Sequence, residues 1–240
     1  ADVLDLKQFN RSDVHIDIPA SSKHGKALAY LNAMYFKQAD GTGQKCEAVK
    51  ELFPEILGTA DFTKDGVRES WLAYYNYSIQ INEDYNRKKL CEWVDCFLKE
   101  NNGDGDITQQ DKLMIFSIHQ RDQDLIIADL DSRGYKCATY FGRTSRENKD
   151  KNLNAFKNDN EIRILIAGDN AAVGITAFNK NNPCHIRTMV FSGLPSELAQ
   201  AEFRLYRSGQ RDIVRFMYFY SLNEVSELNI LLKRKNQLLR

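Results

Sequence analysis

The second half of the chain alternates short, largely apolar runs with amphipathic stretches of helical length, the pattern of a parallel sheet covered on both faces. The runs Lys112–Ile118, Tyr135–Phe141, Ile162–Ala167, Thr188–Phe191 and Val214–Tyr220 predict strands. Helices are expected over Gln123–Arg133, stopped by Gly134, over Asn148–Phe156, and over Glu224–Leu239 at the end. The first half reads differently. Val14–Ile18 alternates apolar and polar residues up to Pro19, as in a short strand, and from there the periodicity is helical. A serine-capped helix is predicted from Ser21 to Phe36, with Leu28, Leu31 and Tyr35 at helical spacing, and it is broken by Asp40-Gly41-Thr42-Gly43. Further helices are expected near Cys46–Leu52, Val67–Tyr77 and Asn82–Lys99, the last with Leu90, Trp93, Val94 and Phe97 on one side. The polar, glycine-broken stretch Asn101–Asp106 is the main internal boundary. It separates a mainly helical segment, 1–106, from an α/β domain, 107–240.

Composition narrows the function only locally. With 33 Lys and Arg against 33 Asp and Glu the formal net charge is zero, so no global basic field advertises a nucleic acid and any such contact must be local. Five cysteines, an odd number without a dense framework, suit a reducing compartment. Cys91 and Cys96 lie in an apolar helical stretch with no second Cys or His pair nearby, which reads as two core thiols and no metal site. No apolar run reaches the roughly 18 residues of a membrane span, and no signal peptide opens the chain, so a soluble intracellular protein is expected.

The most telling chemistry lies in Gln200-Ala201-Glu202-Phe203-Arg204-Leu205-Tyr206-Arg207-Ser208-Gly209-Gln210. Gln200, Arg204 and Arg207 are spaced i, i+4, i+7, one stripe of a helix, with Phe203 and Tyr206 on another face. Two permanently charged, forked guanidiniums on one edge suit a phosphate whose negative charge grows during transfer, although such a pair is also what a solvated helix face carries. The segment resembles the last signature motif of the Swi/Snf-type ATPases of helicase superfamily two. The resemblance implies that Gln200 contacts the nucleotide region, that Arg204 holds phosphate or an acidic partner, and that Arg207 is the arginine finger. Phe203, Leu205, Tyr206 and Ser208 replace the residues usual between the fixed positions.

Three other segments are similar to motifs of that family, in the family's order. Ile164–Thr176 ends a buried strand in small residues that allow close backbone approach, and the family places Gly174 near ATP and Thr176 near the DNA backbone. Asp169 and Asn170 depart from its pattern; an ordinary strand end with turn residues is the other reading. Phe141-Gly142-Arg143-Thr144-Ser145-Arg146 resembles the family's Asp-Gly-Ser-Thr turn. There Ser145 caps a helix, and Gly142, Arg143 and Thr144 hold a DNA phosphate, or the arginines are simply solvated. Ser117, His119 and Gln120 end the first strand of the domain at the edge where ligands of open α/β sheets gather, and Ser117 joins the DNA-contacting set. His119 has no nucleophile paired with it and reads as a loop histidine. Gly41-Thr42-Gly43-Gln44-Lys45 is not a phosphate loop, because its glycines are two apart and follow a helix.

Taken with the resemblance, the fold class is α/β: a RecA-like parallel sheet with helices on both faces, preceded by a mainly helical N-terminal segment. The implied function is the second RecA-like lobe of an ATP-hydrolysing, Swi/Snf-type translocase or helicase on double-stranded DNA. ATP and Mg²⁺ would be held mostly by a first lobe of the same polypeptide, whose phosphate loop and acidic box this sequence lacks, so that the chain is inactive without it. No membrane partner and no resident metal are expected. The alternative is a non-catalytic RecA-like adaptor that binds protein or nucleic acid.

Overall fold

The computed structural model describes residues 9–29, 71–100, 112–168, 186–193, 202, 205–206 and 213–221. The elements in chain order are β1 (Phe9–Ile16), α1 (residues 23–29), α2 (Trp71–Glu100), β2 (Lys112–Phe116), α3 (Gln120–Ser132), β3 (Lys136–Tyr140), α4 (Arg146–Asn158), β4 (Ile162–Ala167), β5 (Ile186–Ser192) and β6 (Val214–Ser221). The predicted helices over Cys46–Leu52 and Glu224–Leu239 lie outside the described residues, as does the later part of the one from Ser21.

One six-stranded sheet runs in the order β1-β6-β5-β2-β4-β3. Every pair from β3 to β6 is parallel: Phe116 faces Phe191 and Ala167, Tyr140 faces Ala167, and Phe191 faces Tyr218. The runs that read as buried strands are buried. Leu113, Met114, Ile115 and Phe116 of β2, and Ile164, Leu165, Ile166 and Ala167 of β4, are all inaccessible or nearly so. Phe191 stacks on Tyr218 with centroids 4.7 Å apart and planes 9° apart, and it also meets Phe116 at 5.6 Å and Phe216 at 6.4 Å. Helices cover both faces. Phe219, which alternates with Tyr218, meets Trp93 of α2 at 6.1 Å, while on the side of Phe116 the ammonium of Lys112 donates to the carbonyls of Phe156 and Asp159 at the end of α4.

Local signals account for several boundaries. Ser145 caps α4, its hydroxyl accepting from the Asn148 amide at 3.4 Å. Gly134 adopts φ 86°, the left-handed conformation that ends α3 cheaply, and its amide donates to Asp131. At α1 the capping serine is Ser22, one residue later than expected: it accepts from the Gly25 amide at 3.0 Å and donates to Pro19 O.

Three expectations differ from what is found. β1 begins at Phe9, five residues before the predicted start, because its polar residues Asn10, Arg11 and Ser12 hide an edge strand from a search for apolar alternation. The helix predicted from Asn82 begins at Trp71 and absorbs much of the one predicted before it. Cys91 is buried, and burial pushes its thiol up, but Cys96 is exposed: five positions along a helix rotate it by about 140°, so the pair are not both core thiols.

The chain divides into two compact units, residues 1–15 with 86–220, and residues 16–85 with 221–240. The sheet and the second half of α2 belong to the first unit. The division falls within α2, whose later half has Leu90, Val94, Phe97 and Leu98 buried and the Leu98 carbonyl accepting from Arg163 of β4 at 3.0 Å; the Asn101–Asp106 stretch lies outside the described residues. In the second unit, Ser221 donates to the Asn82 side chain at 2.6 Å, and His24 meets Asp84 at 3.4 Å and the Tyr85 ring edge-on at 5.1 Å.

Tyr135, just past α3, donates to Asp95 at 2.6 Å. The hydrogen bond from Lys99, then that from Tyr135, holds the Asp95 carboxyl below its usual value of 3.8, while burial and the Asp95 bond push the Tyr135 phenol up to about 12. A phenol raised in the folded state stabilises below its unfolded value near 10 and loses that contribution as pH rises toward 12. Tyr135→Phe is therefore expected to flatten the alkaline fall in stability over that interval, read as melting temperature against pH; an unchanged slope would show that the phenol is not held.

Candidate functional site

Because β2, β3, β4, β5 and β6 are parallel, their carboxyl ends share one edge, and the described parts of the sequence motifs lie at or follow from it. Ser117 follows β2, the Gly142 turn follows β3, Gly168 follows β4, and Gly193 follows β5. Gly193 takes φ 83° and donates to Phe219 O at 2.8 Å, which turns the chain off the end of β5. The segments that leave from Gly168 and Gly193 carry Gly174 and Thr176, and Gln200, Arg204 and Arg207. Those five residues lie outside the described set.

Ser117 is fully buried. Its hydroxyl donates to Asp122 Oδ2 at 2.7 Å, its amide donates to Ala167 O at 3.0 Å, and its carbonyl accepts from the Gln123 side chain at 2.8 Å. The structure thus places it inside the edge, tying the end of β2 to the first turn of α3 and to β4. His119 occupies the N-cap position of α3 in extended conformation, its carbonyl accepting from the Gln123 amide and its side chain making no cap bond. Asp122 and Gln123, both buried, were not singled out from the sequence; a polar pair early in an amphipathic helix resembles any solvated first turn until the strand end beneath it is known. Ser192, at the end of β5, was not singled out either. It sits one residue beyond the paired Phe116 and Phe191, buried, with its hydroxyl unpartnered among the described residues.

The Gly142 turn is closed by the Thr144 amide donating to Phe141 O at 3.1 Å. Gly142, Arg143, Ser145 and Arg146 are exposed and Thr144 is half-buried, so the turn presents backbone to solvent. The Arg143 guanidinium lies 4.6 Å from the centre of the Phe141 ring and is paired with the Asp124 carboxylate of α3. Its charge is thereby partly met within the fold, and a phosphate arriving at this turn would compete with Asp124 for it.

Within the arginine segment, Glu202, Leu205 and Tyr206 are described. The amides of Leu205 and Tyr206 both donate to Glu202 O, at 3.0 and 2.9 Å, and Leu205 is fully buried. The Glu202 side chain is nearly buried and accepts two bonds from Arg11 of β1, 2.7 Å from Nε and 2.5 Å from Nη2, as well as one from the Tyr218 hydroxyl of β6. The bond to Glu202 raises the Arg11 guanidinium further, and burial, with Glu202 behind it, pushes the Tyr218 phenol up. Phe9 meets Tyr206 edge-on at 4.8 Å.

Residues 89–210 match the helicase conserved C-terminal domain, slightly more than half of the chain. The chain belongs to that family. Its fold is similar to that of the Sulfolobus solfataricus SWI2/SNF2 ATPase core in complex with dsDNA, with TM-score 0.59 and 15% identity over 95% of this chain and 44% of that one. It is also similar to the C-terminal part of the Fun30 ATPase domain, with TM-score 0.54 and 13% identity over 94% of this chain and 90% of that one. The Pyrococcus furiosus Hef helicase domain is matched with TM-score 0.57 and 12% identity over 94% of this chain and 58% of that one. No curated protein matches the chain in sequence. For this helicase C-terminal domain, the RecA-like parallel sheet expected from the sequence is the architecture found. Among the described residues no helix is long and apolar enough to cross a membrane.

Proposed function

We propose that this helicase C-terminal domain is the second lobe of a Swi/Snf-type motor that couples ATP hydrolysis to movement along double-stranded DNA. The observation that carries the reading is that four motif segments begin at or leave from the carboxyl edge of one parallel sheet, where open α/β sheets receive their ligands. Arg207 serves as the arginine finger, Arg204 holds phosphate or an acidic partner, and Gln200 and Gly174 approach the nucleotide. Gly142, Arg143, Thr144 and Thr176 grip the DNA backbone, while Ser117 holds the edge in shape through Asp122. Lobe closure brings the arginines to the triphosphate, and repeated closing and opening steps the grip along the strand.

ATP and Mg²⁺ enter this reading from the family. Among the described residues no three His, Cys, Asp or Glu side chains group so as to hold a metal, and the ligands of the ion are assigned to the first lobe. The chain's own residues act on the phosphates alone. A non-catalytic adaptor is favoured by one observation, the pairing of Arg143 with Asp124, which leaves less positive charge for a phosphate. The test is ATP turnover of the full-length protein with and without double-stranded DNA. Turnover that rises with DNA and depends on Arg207 supports the motor; turnover that is absent, or indifferent to Arg207→Ala, supports the adaptor.

A further inference from the structure

Resting on that reading, we infer that Glu202 is a positioning residue: its buried carboxylate clamps the arginine segment to β1 through Arg11 and to β6 through Tyr218. Glu202 stands two residues before Arg204 and five before Arg207. Its carbonyl accepts the amides of both Leu205 and Tyr206, so whatever fixes Glu202 also fixes the turn that follows. Glu202 is 6% exposed, and its carboxylate meets a two-pronged guanidinium and a phenol, an arrangement that allows little rotation.

Among the described residues of the segment, Glu202, Leu205 and Tyr206, at i, i+3 and i+4, engage the fold through Arg11 and Tyr218, burial, and Phe9 respectively. In helical phase, Gln200, Arg204 and Arg207 fall on the opposite side of the sequence wheel from that set. Glu202 is enclosed while Arg11 is half exposed, so the pair adds little stability, but its two-pronged contact restricts geometry, which is what a catalytic guanidinium requires of its support.

The experiment uses Glu202→Gln, Arg11→Met and the double variant in the full-length protein. Hydrogen exchange at the Leu205 and Tyr206 amides is expected to speed up about tenfold or more in each variant. In DNA-stimulated hydrolysis kcat should fall by about tenfold to a hundredfold. The KM for ATP should stay within about threefold of the wild-type value, as befits a group that acts only through the placement of another. The double variant should be no worse than the worse single, because both remove one interaction. Arg11→Lys, which keeps the charge and loses the fork, should recover part of kcat.

Unchanged exchange in Glu202→Gln overturns the clamp. Unchanged kcat in Glu202→Gln, with turnover abolished by Arg207→Ala, overturns the positioning role while the motor reading stands. If the wild type shows no DNA-stimulated turnover, the motor reading fails and exchange alone decides the clamp. If Glu202→Gln does not fold, Tyr218→Phe decides: it keeps the ring stacked on Phe191 and removes one of the three bonds, so a lowered kcat supports the proposal and an unchanged one overturns it.

Discussion

Replacing Arg207 by alanine in the full-length protein is expected to lower DNA-stimulated ATP turnover by about a thousandfold or more, the range spanned by loss of an arginine finger. At about 1.4 kcal/mol for each factor of ten, that is on the order of 4 kcal/mol or more of transition-state stabilisation. The magnitude follows from where the charge develops. A guanidinium aimed at the transferred phosphoryl group interacts more strongly with the transition state than with bound ATP, so the loss should fall on kcat and leave KM for ATP nearly unchanged. Arg207→Lys should recover little, since a single ammonium cannot reproduce two parallel N–H donors. Steady-state hydrolysis at saturating DNA measures both parameters. A fall in KM-dependent turnover alone, with kcat intact, would show that Arg207 binds the nucleotide without acting on the reaction, and the finger assignment would fail.

The second large effect is structural. Phe191→Ala is expected to destabilise the domain by about 3–5 kcal/mol, the usual cost of truncating a fully buried phenylalanine. Phe191 is inaccessible to solvent at the centre of the sheet, stacked on Tyr218 and in contact with Phe116 and Phe216. Removing the ring therefore opens a cavity bounded by strands on either side, which cannot close without moving the sheet. Denaturant unfolding of the chain checks this, and a cost below about 1 kcal/mol would mean that the core relaxes around the gap. Tyr218, which buttresses Phe191 and also donates to Glu202, links this core to the arginine segment. Phe191→Ala should consequently also speed exchange at the Leu205 and Tyr206 amides.

The parallel sheet was legible because burial on both faces leaves a coarse mark. Strongly apolar strands such as Ile162–Ala167, which agrees with β4 to the residue and is broken only by Arg163, read as buried strands once helical stretches separate them. The stop at Gly134 and the cap at Ser145 were legible too, since each depends on a backbone need that a single residue type meets. β1 was half legible. Its polar stretch carries no apolar alternation, and it is a strand because β6 offers it an edge, a fact that lies some 200 positions away in the sequence.

The site divides along the same line. Sequence alone singled out candidates for chemistry with phosphate: the i, i+4, i+7 stripe of Gln200, Arg204 and Arg207, the small residues around Gly174, and the turn at Gly142. These depend on side-chain type and local spacing, which the chain carries within a few residues. Only the tertiary structure decided which polar groups are used up holding that edge together. Ser117 is turned inward to Asp122, Arg143 is shared with Asp124 and Phe141, and Glu202 is gripped by Arg11 across 191 positions of sequence. A hydrogen bond between residues so far apart leaves no periodic trace in either segment, because each partner is chosen by the strand order of the sheet and not by its neighbours in the chain.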